Sequence, residues 1–150
     1  MSPVYTSLLE HLERTGIVYQ ADAEREVASA TFTCETGSYQ VITRVNDDDR
    51  LFQVFGICPI TIPDGSRLDV AHALTRANWG MKVGKFEMDL DEGRLHFHIA
   101  NVIDGEQVSD GLFGRLIAIT LAMLDRYVPA ILSVVYGNEL PANAIRRVEN

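Results

Sequence analysis

The feature that most constrains the fold is a strict alternation of apolar and polar residues between positions 83 and 99. Side chains at every second position are apolar on both sides of the acidic turn Asp91-Glu92-Gly93; they are Phe86, Met88, Leu90, Leu95, Phe97 and Ile99. A period of two residues is that of a strand, whose side chains point alternately to opposite faces. The segment therefore predicts a β-hairpin with one apolar and one solvated face, as in an antiparallel sheet packed on one side.

Three more strands are predicted ahead of this hairpin. Residues 29–34 and 39–45 alternate in the same way, and turn-rich residues at 35–38 and 46–49 follow them. Residues 51–58 are apolar at almost every position, which predicts a central strand covered on both faces. Short connections of this kind predict an antiparallel sheet of about five strands.

Helical periodicity marks the remainder of the chain. Residues 4–14 predict a short amphipathic helix, and Ser66 caps a second helix over 66–78. Its inward stripe is predicted at Leu68, Ala71 and Leu74, with Val70 and Ala77 beside them. A long helix begins near Ser109; Pro129 either kinks it or starts another helix, and 141–150 is a short helix or a frayed tail. The order α-βββ-α-ββ-α(α) predicts one α+β domain over residues 1–150.

Charge and hydropathy limit the classes of partner. The formal net charge is -8, and no run of Lys or Arg occurs beyond Arg146-Arg147, so neither nucleic acid nor an anionic membrane surface is expected to bind. The apolar segment 112–136 is interrupted by Arg115, Asp125 and Arg126, which argues against a membrane span. The first 14 residues lack a signal-peptide pattern. We therefore expect a cytoplasmic protein whose two cysteines, Cys34 and Cys58, are buried free thiols.

Few residues point to chemistry. His96 and His98 lie on one face of a predicted strand, about 7 Å apart by strand geometry, and are the weak candidates for a metal site. The alternative is that both belong to the solvated face of the strand. The sequence contains no nucleophile elbow, phosphate-binding loop or activated cysteine. We therefore expect no catalytic residue and no cofactor, and a protein that is not an enzyme.

The segment LTRANWGMKVGKFEMDLDEGRLHF, residues 74–97, resembles the YbjN family of bacterial proteins. That family has a helix ending in Asn, a Gly-aromatic strand ending in Asp, and an acidic-Gly turn before an alternating strand. The likeness extends to 51–63, 125–131 and 141–148. The positions that match, which the resemblance implies are structural, are Asn78, Gly84, Phe86, Asp89 and Gly93.

The resemblance implies a fold similar to that of the type III secretion chaperones, which are small acidic dimers that bind segments of other proteins. We therefore expect a homodimer and a non-enzymatic protein-binding module, chaperone-like or regulatory. The family is described as sensory transduction regulators, which suggests a response regulator as partner. The surface for the dimer or the partner is expected at Leu68, Ala71, Leu74 and Trp79. The alternative function is a sensor of a small molecule or a metal.

Overall fold

The computed structural model describes residues 2–46, 50–104 and 108–150, and the predicted turn at 46–49 falls largely outside them. Within these residues the chain forms four α-helices and six strands. They are α1 (Pro3–Arg14), β1 (Gln20–Asp22), β2 (Val27–Thr33), β3 (Ser38–Asn46), β4 (Leu51–Ile57), α2 (Arg67–Asn78), β5 (Lys85–Met88), β6 (Leu95–Val102), α3 (Asp110–Tyr136) and α4 (Pro141–Glu149). The α+β class is confirmed, and so is the predicted order of elements apart from the additional strand β1.

The six strands form one open antiparallel sheet in the order β1-β2-β3-β4-β6-β5. The prediction of five strands missed β1, a three-residue edge strand whose side chains are all exposed. A strand with no buried position has no apolar alternation, so the pattern that revealed its neighbours could not reveal it.

The hairpin of β5 and β6 is confirmed. Phe86 lies opposite Phe97, and the N–H of Asp89 donates to the carbonyl of Arg94 at 2.8 Å. Gly93 has a φ of 77°, and a Cβ there would lie 2.2 Å from the carbonyl oxygen of Ile62. The positive φ and the close backbone approach both require glycine at this turn.

The helices pack on one face of the sheet, and α3 is the central one, contacting β3, β4 and β6. It runs unbroken through Pro129, so the alternative of a new helix starting there is wrong. A proline inside a helix leaves the carbonyl four residues earlier, that of Asp125, without its helical donor. The Thr36 hydroxyl from the β2–β3 turn donates to the Asp125 carboxylate at 2.5 Å and lies 3.3 Å from that carbonyl, and the Thr36 N–H donates to the same carboxylate at 2.8 Å. The turn thus anchors Asp125 one helical turn before the proline.

The other face of the sheet has no helix over it in the described part of the chain. The prediction that β4 is covered on both faces is therefore wrong. Gln53, Phe55 and Ile57 on this outer face are half-buried, whereas Phe52 and Val54 on the inner face are fully buried. Phe55 is instead shielded by its neighbours: its ring stacks on that of His98 at a centroid distance of 4.6 Å and an interplanar angle of 5°.

One helix, α3, has the length and apolar composition of a membrane span, with a mean hydropathy of 1.6 over its most apolar window. In this fold 44% of that window is buried. Its buried side chains belong to the core cluster that also contains Phe52, Val54 and Phe97. Packing against the sheet accounts for the apolar face of α3.

Candidate protein-binding site

Helix α2 is rotated relative to the predicted stripe. Its buried positions are Val70, Ala73, Leu74 and Ala77, a spacing of three and four residues that keeps one face of an α-helix inward. The predicted set at 68, 71 and 74 advances by three each time and drifts off that face. Leu68 is consequently 80% exposed and Ala71 half-buried. Leu74 is 5% exposed and packs in the core, so it cannot belong to the predicted interaction surface.

Trp79 lies just beyond the last residue of α2. Its backbone N–H closes the helix by donating to the carbonyl of Thr75 at 3.2 Å. The preceding residue, Asn78, fixes the direction of the chain: its side-chain amide donates to the carbonyl of Phe86 at 2.9 Å and accepts from the N–H of Phe86 at 2.8 Å. This end of α2 is therefore attached to the edge strand β5, and the Trp79 side chain is left 87% exposed.

Two grooves adjoin Trp79. The first, of about 420 Å³, lies between α2 and α4; its lining includes Thr75, Ala142 and Ile145. The second, of about 350 Å³, lies towards α3 and the loop before β5; its lining includes Met81, Val83, Ile119 and Met123. Trp79 and Glu149 line both grooves. A large exposed aromatic side chain beside concave apolar surface is the arrangement found at protein-binding hot spots.

Four cationic side chains surround these grooves, namely Arg76, Lys82, Arg126 and Arg146. None of them forms an ion pair with any residue that the structure describes. The sequence contains no basic stripe because these residues come from α2, the loop before β5, α3 and α4. No local pattern could have found this cluster, since only the packing of α2 against α3 and α4 assembles it.

The two predicted metal candidates meet on the outer face of the sheet, around Glu87. One oxygen of Glu87, Oε1, lies 2.7 Å from Nε2 of His96 and 3.4 Å from Nδ1 of His98, and Lys85 lies 3.2 Å from the other. In residues 2–46, 50–104 and 108–150, no three His, Cys, Asp or Glu side chains are arranged to hold a metal ion. We find a hydrogen-bonded cluster on a half-solvated sheet face, and its use as a sensor stays a prediction.

Burial and charge set the protonation of this cluster. Burial lowers the pKa of His98, and the nearby Glu87 carboxylate acts in the opposite direction without cancelling the effect. For Glu87, burial raises the pKa, but hydrogen bonds from His96 and Lys85 outweigh burial and leave the pKa below its ordinary value. Glu87 is therefore ionised at neutral pH and His98 is neutral.

The buried histidine of α1 and the two cysteines show no features of a reactive site. His11 is buried, and its Nδ1 lies 3.0 Å from the carboxylate of Asp110, which joins α1 to the first residue of α3. Both cysteines are free, as predicted; Cys58 is buried, but Cys34 is half-buried, so the prediction of a buried thiol is wrong there. Burial raises the pKa of the Cys34 thiol and of the Cys58 thiol, which is the opposite of the shift that activates a nucleophile.

Comparison with known proteins places the chain in a family. A family model described as "Putative bacterial sensory transduction regulator" matches residues 5–133. The chain belongs to the YbjN family. No curated protein matches the sequence.

Two solved structures share the fold of this chain. YbjN from E. coli aligns with a TM-score of 0.61 and 10% identity over 91% of this chain and 93% of that one. The ExsC–ExsE complex aligns with a TM-score of 0.57 and 15% identity over 85% of this chain and 97% of that one. Identities this low show a shared fold alone. This YbjN-family chain has the type III secretion chaperone-like fold that the resemblance implied.

Proposed function

We propose that this YbjN-family protein is a non-enzymatic protein-binding module, chaperone-like or regulatory, that uses the end of α2 to hold a segment of another protein. The observation that carries the proposal is the 87% exposure of Trp79 beside two apolar grooves. Large aromatic residues are enriched at binding hot spots because they lose much water-exposed area at little entropic cost.

The family and the fold support this proposal. The family is one of regulators by description, and a structure of the same fold is a complex of ExsC with ExsE. Leu68 adds to the argument, because 68, 72 and 75 share one exposed face of α2, and the exposed Trp79 follows the last residue of that helix. An exposed strip along a packed helix is available to a partner without unfolding the domain.

The finer parts of the proposal concern partner and assembly. We expect a homodimer formed through α2, near Leu68, and a cytoplasmic location. The family description suggests a signalling protein such as a response regulator as the partner class. A monomeric mass by sedimentation velocity at micromolar concentration would refute the dimer. Retention of the wild-type mass by Leu68→Asp would refute the assignment of its interface.

The experiment is a pull-down from lysate of the native host with a photo-crosslinking amino acid introduced in turn at each exposed residue of α2. We expect one protein to be retained and cross-linked, and its retention to be lost in Trp79→Ala. Val18→Asp is the matched control, because Val18 is 90% exposed and lies ahead of β1, outside the grooves. If no protein is retained by the wild type above the level of an unrelated acidic domain, the protein-binding proposal fails.

A further inference from the structure

The charge around Trp79 is opposite to that of the chain as a whole. The chain has a formal net charge of -8, yet four cations border the two grooves and Glu149 is the acidic side chain lining them. Glu149 is partly engaged, since its carboxylate accepts a hydrogen bond from the Tyr127 hydroxyl at 2.6 Å. Burial and this hydrogen bond raise the pKa of Tyr127 to about 12, so the hydroxyl remains a donor at neutral pH.

The contacts of the three arginines are to groups other than carboxylates; Arg76, for example, donates to Nε2 of His72 at 2.8 Å. Arg126 donates to the backbone carbonyls of Val148 and Glu149 at 3.1 and 3.2 Å, which holds the end of α4 against α3 but leaves its charge without a carboxylate partner. Arg146 donates to the side-chain oxygen of Asn143 at 3.3 Å, again a neutral group. A row of cations without carboxylate partners, beside an apolar groove, is complementary to a ligand that is both anionic and apolar.

From this we infer that the grooves beside Trp79 bind an acidic amphipathic segment of a partner protein, with apolar side chains against Trp79 and carboxylates facing the four cations. The inference rests on the proposed function and specifies the chemistry of the partner. The apolar walls, with Ile145 on one side and Met123 on the other, favour a peptide over a nucleic acid.

Part of this site is not covered by the family model. The match ends at residue 133, whereas α4, which supplies Ala142, Ile145 and Arg146, spans Pro141–Glu149. Of the two cations that line the first groove, Arg146 therefore lies outside the matched region, whereas Arg76 lies within it.

Trp79 is the single tryptophan, so its fluorescence reports directly on the grooves. We would titrate the protein with three tryptophan-free synthetic peptides: one rich in Asp, Glu, Leu and Phe, one with Lys in place of the acids, and one with Ser in place of the apolar residues. The first peptide alone should shift the emission to shorter wavelength, because it removes water from the indole. Its binding should weaken as NaCl is raised, because salt screens exposed charges.

Charge reversal tests the cations. Arg76→Glu combined with Arg146→Glu should weaken binding of the acidic peptide by about tenfold or more, since it replaces two attractions with two repulsions. Arg44→Glu combined with Arg115→Glu changes the net charge equally at exposed positions outside the grooves and should have little effect. If circular dichroism shows that the double variant is unfolded, the single variant Lys82→Glu tests the same prediction.

Several outcomes would overturn the inference while leaving protein binding intact. These are equal weakening by the two charge-reversed pairs, tighter binding of the basic peptide, or cross-links of the captured partner that map away from Trp79. The same emission shift with a single-stranded DNA oligonucleotide would indicate that the grooves bind nucleic acid and not a peptide. An emission shift that grows with protein concentration in the absence of peptide would indicate that the grooves bind a second copy of the chain. If the acidic peptide binds but no protein is captured from the lysate, the result would instead count against the proposed function.

Discussion

Replacing Gly84 by alanine tests the packing at the entrance to β5. Gly84 has a φ of +75°, and a Cβ there would lie 2.3 Å from Cζ and 2.9 Å from Cε2 of the Phe97 ring. Phe97 is fully buried, so its ring has no free space into which to move. The left-handed backbone costs an L-residue about 1–2 kcal/mol, and overpacking a core costs about 1–3 kcal/mol more. We expect Gly84→Ala to lower the free energy of unfolding by about 2–5 kcal/mol, a large part of the 5–15 kcal/mol typical of a domain.

Two other glycines separate these contributions. Gly80 has a φ of +84° with nothing within 4 Å of its Cβ position, so Gly80→Ala reports the backbone strain alone. Gly56 has no positive φ, but a Cβ there would lie 2.5 Å from Cδ1 of Leu124, so Gly56→Ala reports the crowding alone. All three variants share the loss of glycine's freedom in the unfolded chain.

The assay is urea unfolding followed by far-ultraviolet circular dichroism, because Trp79 is too exposed for its fluorescence to report unfolding well. With a slope of about 1–3 kcal/mol per molar urea, a difference of about 2 kcal/mol separates two midpoints by about 1 M. Gly84→Ala should unfold at clearly lower urea than Gly80→Ala. Equal midpoints for these two variants would show that Phe97 does not pack on Gly84 and would refute the reasoning.

Three further variants test the site and its surroundings. Asn78→Ala removes both hydrogen bonds to the backbone of Phe86 and should destabilise the domain by about 1–3 kcal/mol in the same urea assay; a change within about 0.5 kcal/mol would contradict the role assigned to Asn78. Glu87→Gln should lower the pKa of His98 further, measured by NMR titration of the imidazole, because the carboxylate that raises it is lost; a rise would contradict the geometry. The hydrogen bond to His11 lowers the pKa of Asp110, and the hydrogen bond to Arg14 lowers it further. The ionised carboxylate therefore stabilises the fold above the ordinary pKa of 3.8. This stabilisation is lost as the pH falls through the lowered pKa of the folded state. Asp110→Asn should thus lower the Tm at neutral pH but scarcely in strong acid, and an equal loss at both pH values would argue against the ion pair.

Local patterns in the sequence were sufficient for much of the fold. The hairpin of β5 and β6, the long helix α3 and the stop of α2 at Asn78 each depend on residues close together in the chain. A period of two or of 3.6 residues records which side of an element is buried, and it does so without knowledge of the partner element. The YbjN resemblance rested on the same stretch, residues 74–97, and the family match confirms it.

What the sequence determined by itself is therefore the family and, apart from the edge strand β1, the set of elements and their order. What only the tertiary structure decided is what lies against each element. It showed that Leu74 faces the core and Leu68 faces solvent, and that Thr36 contacts Asp125 in α3. It further showed that no helix in the described part of the chain covers the outer face of β4. It also brought cations from four separate segments to the grooves around Trp79. Contacts between residues far apart in the chain depend on how whole elements pack, and no local period encodes that packing.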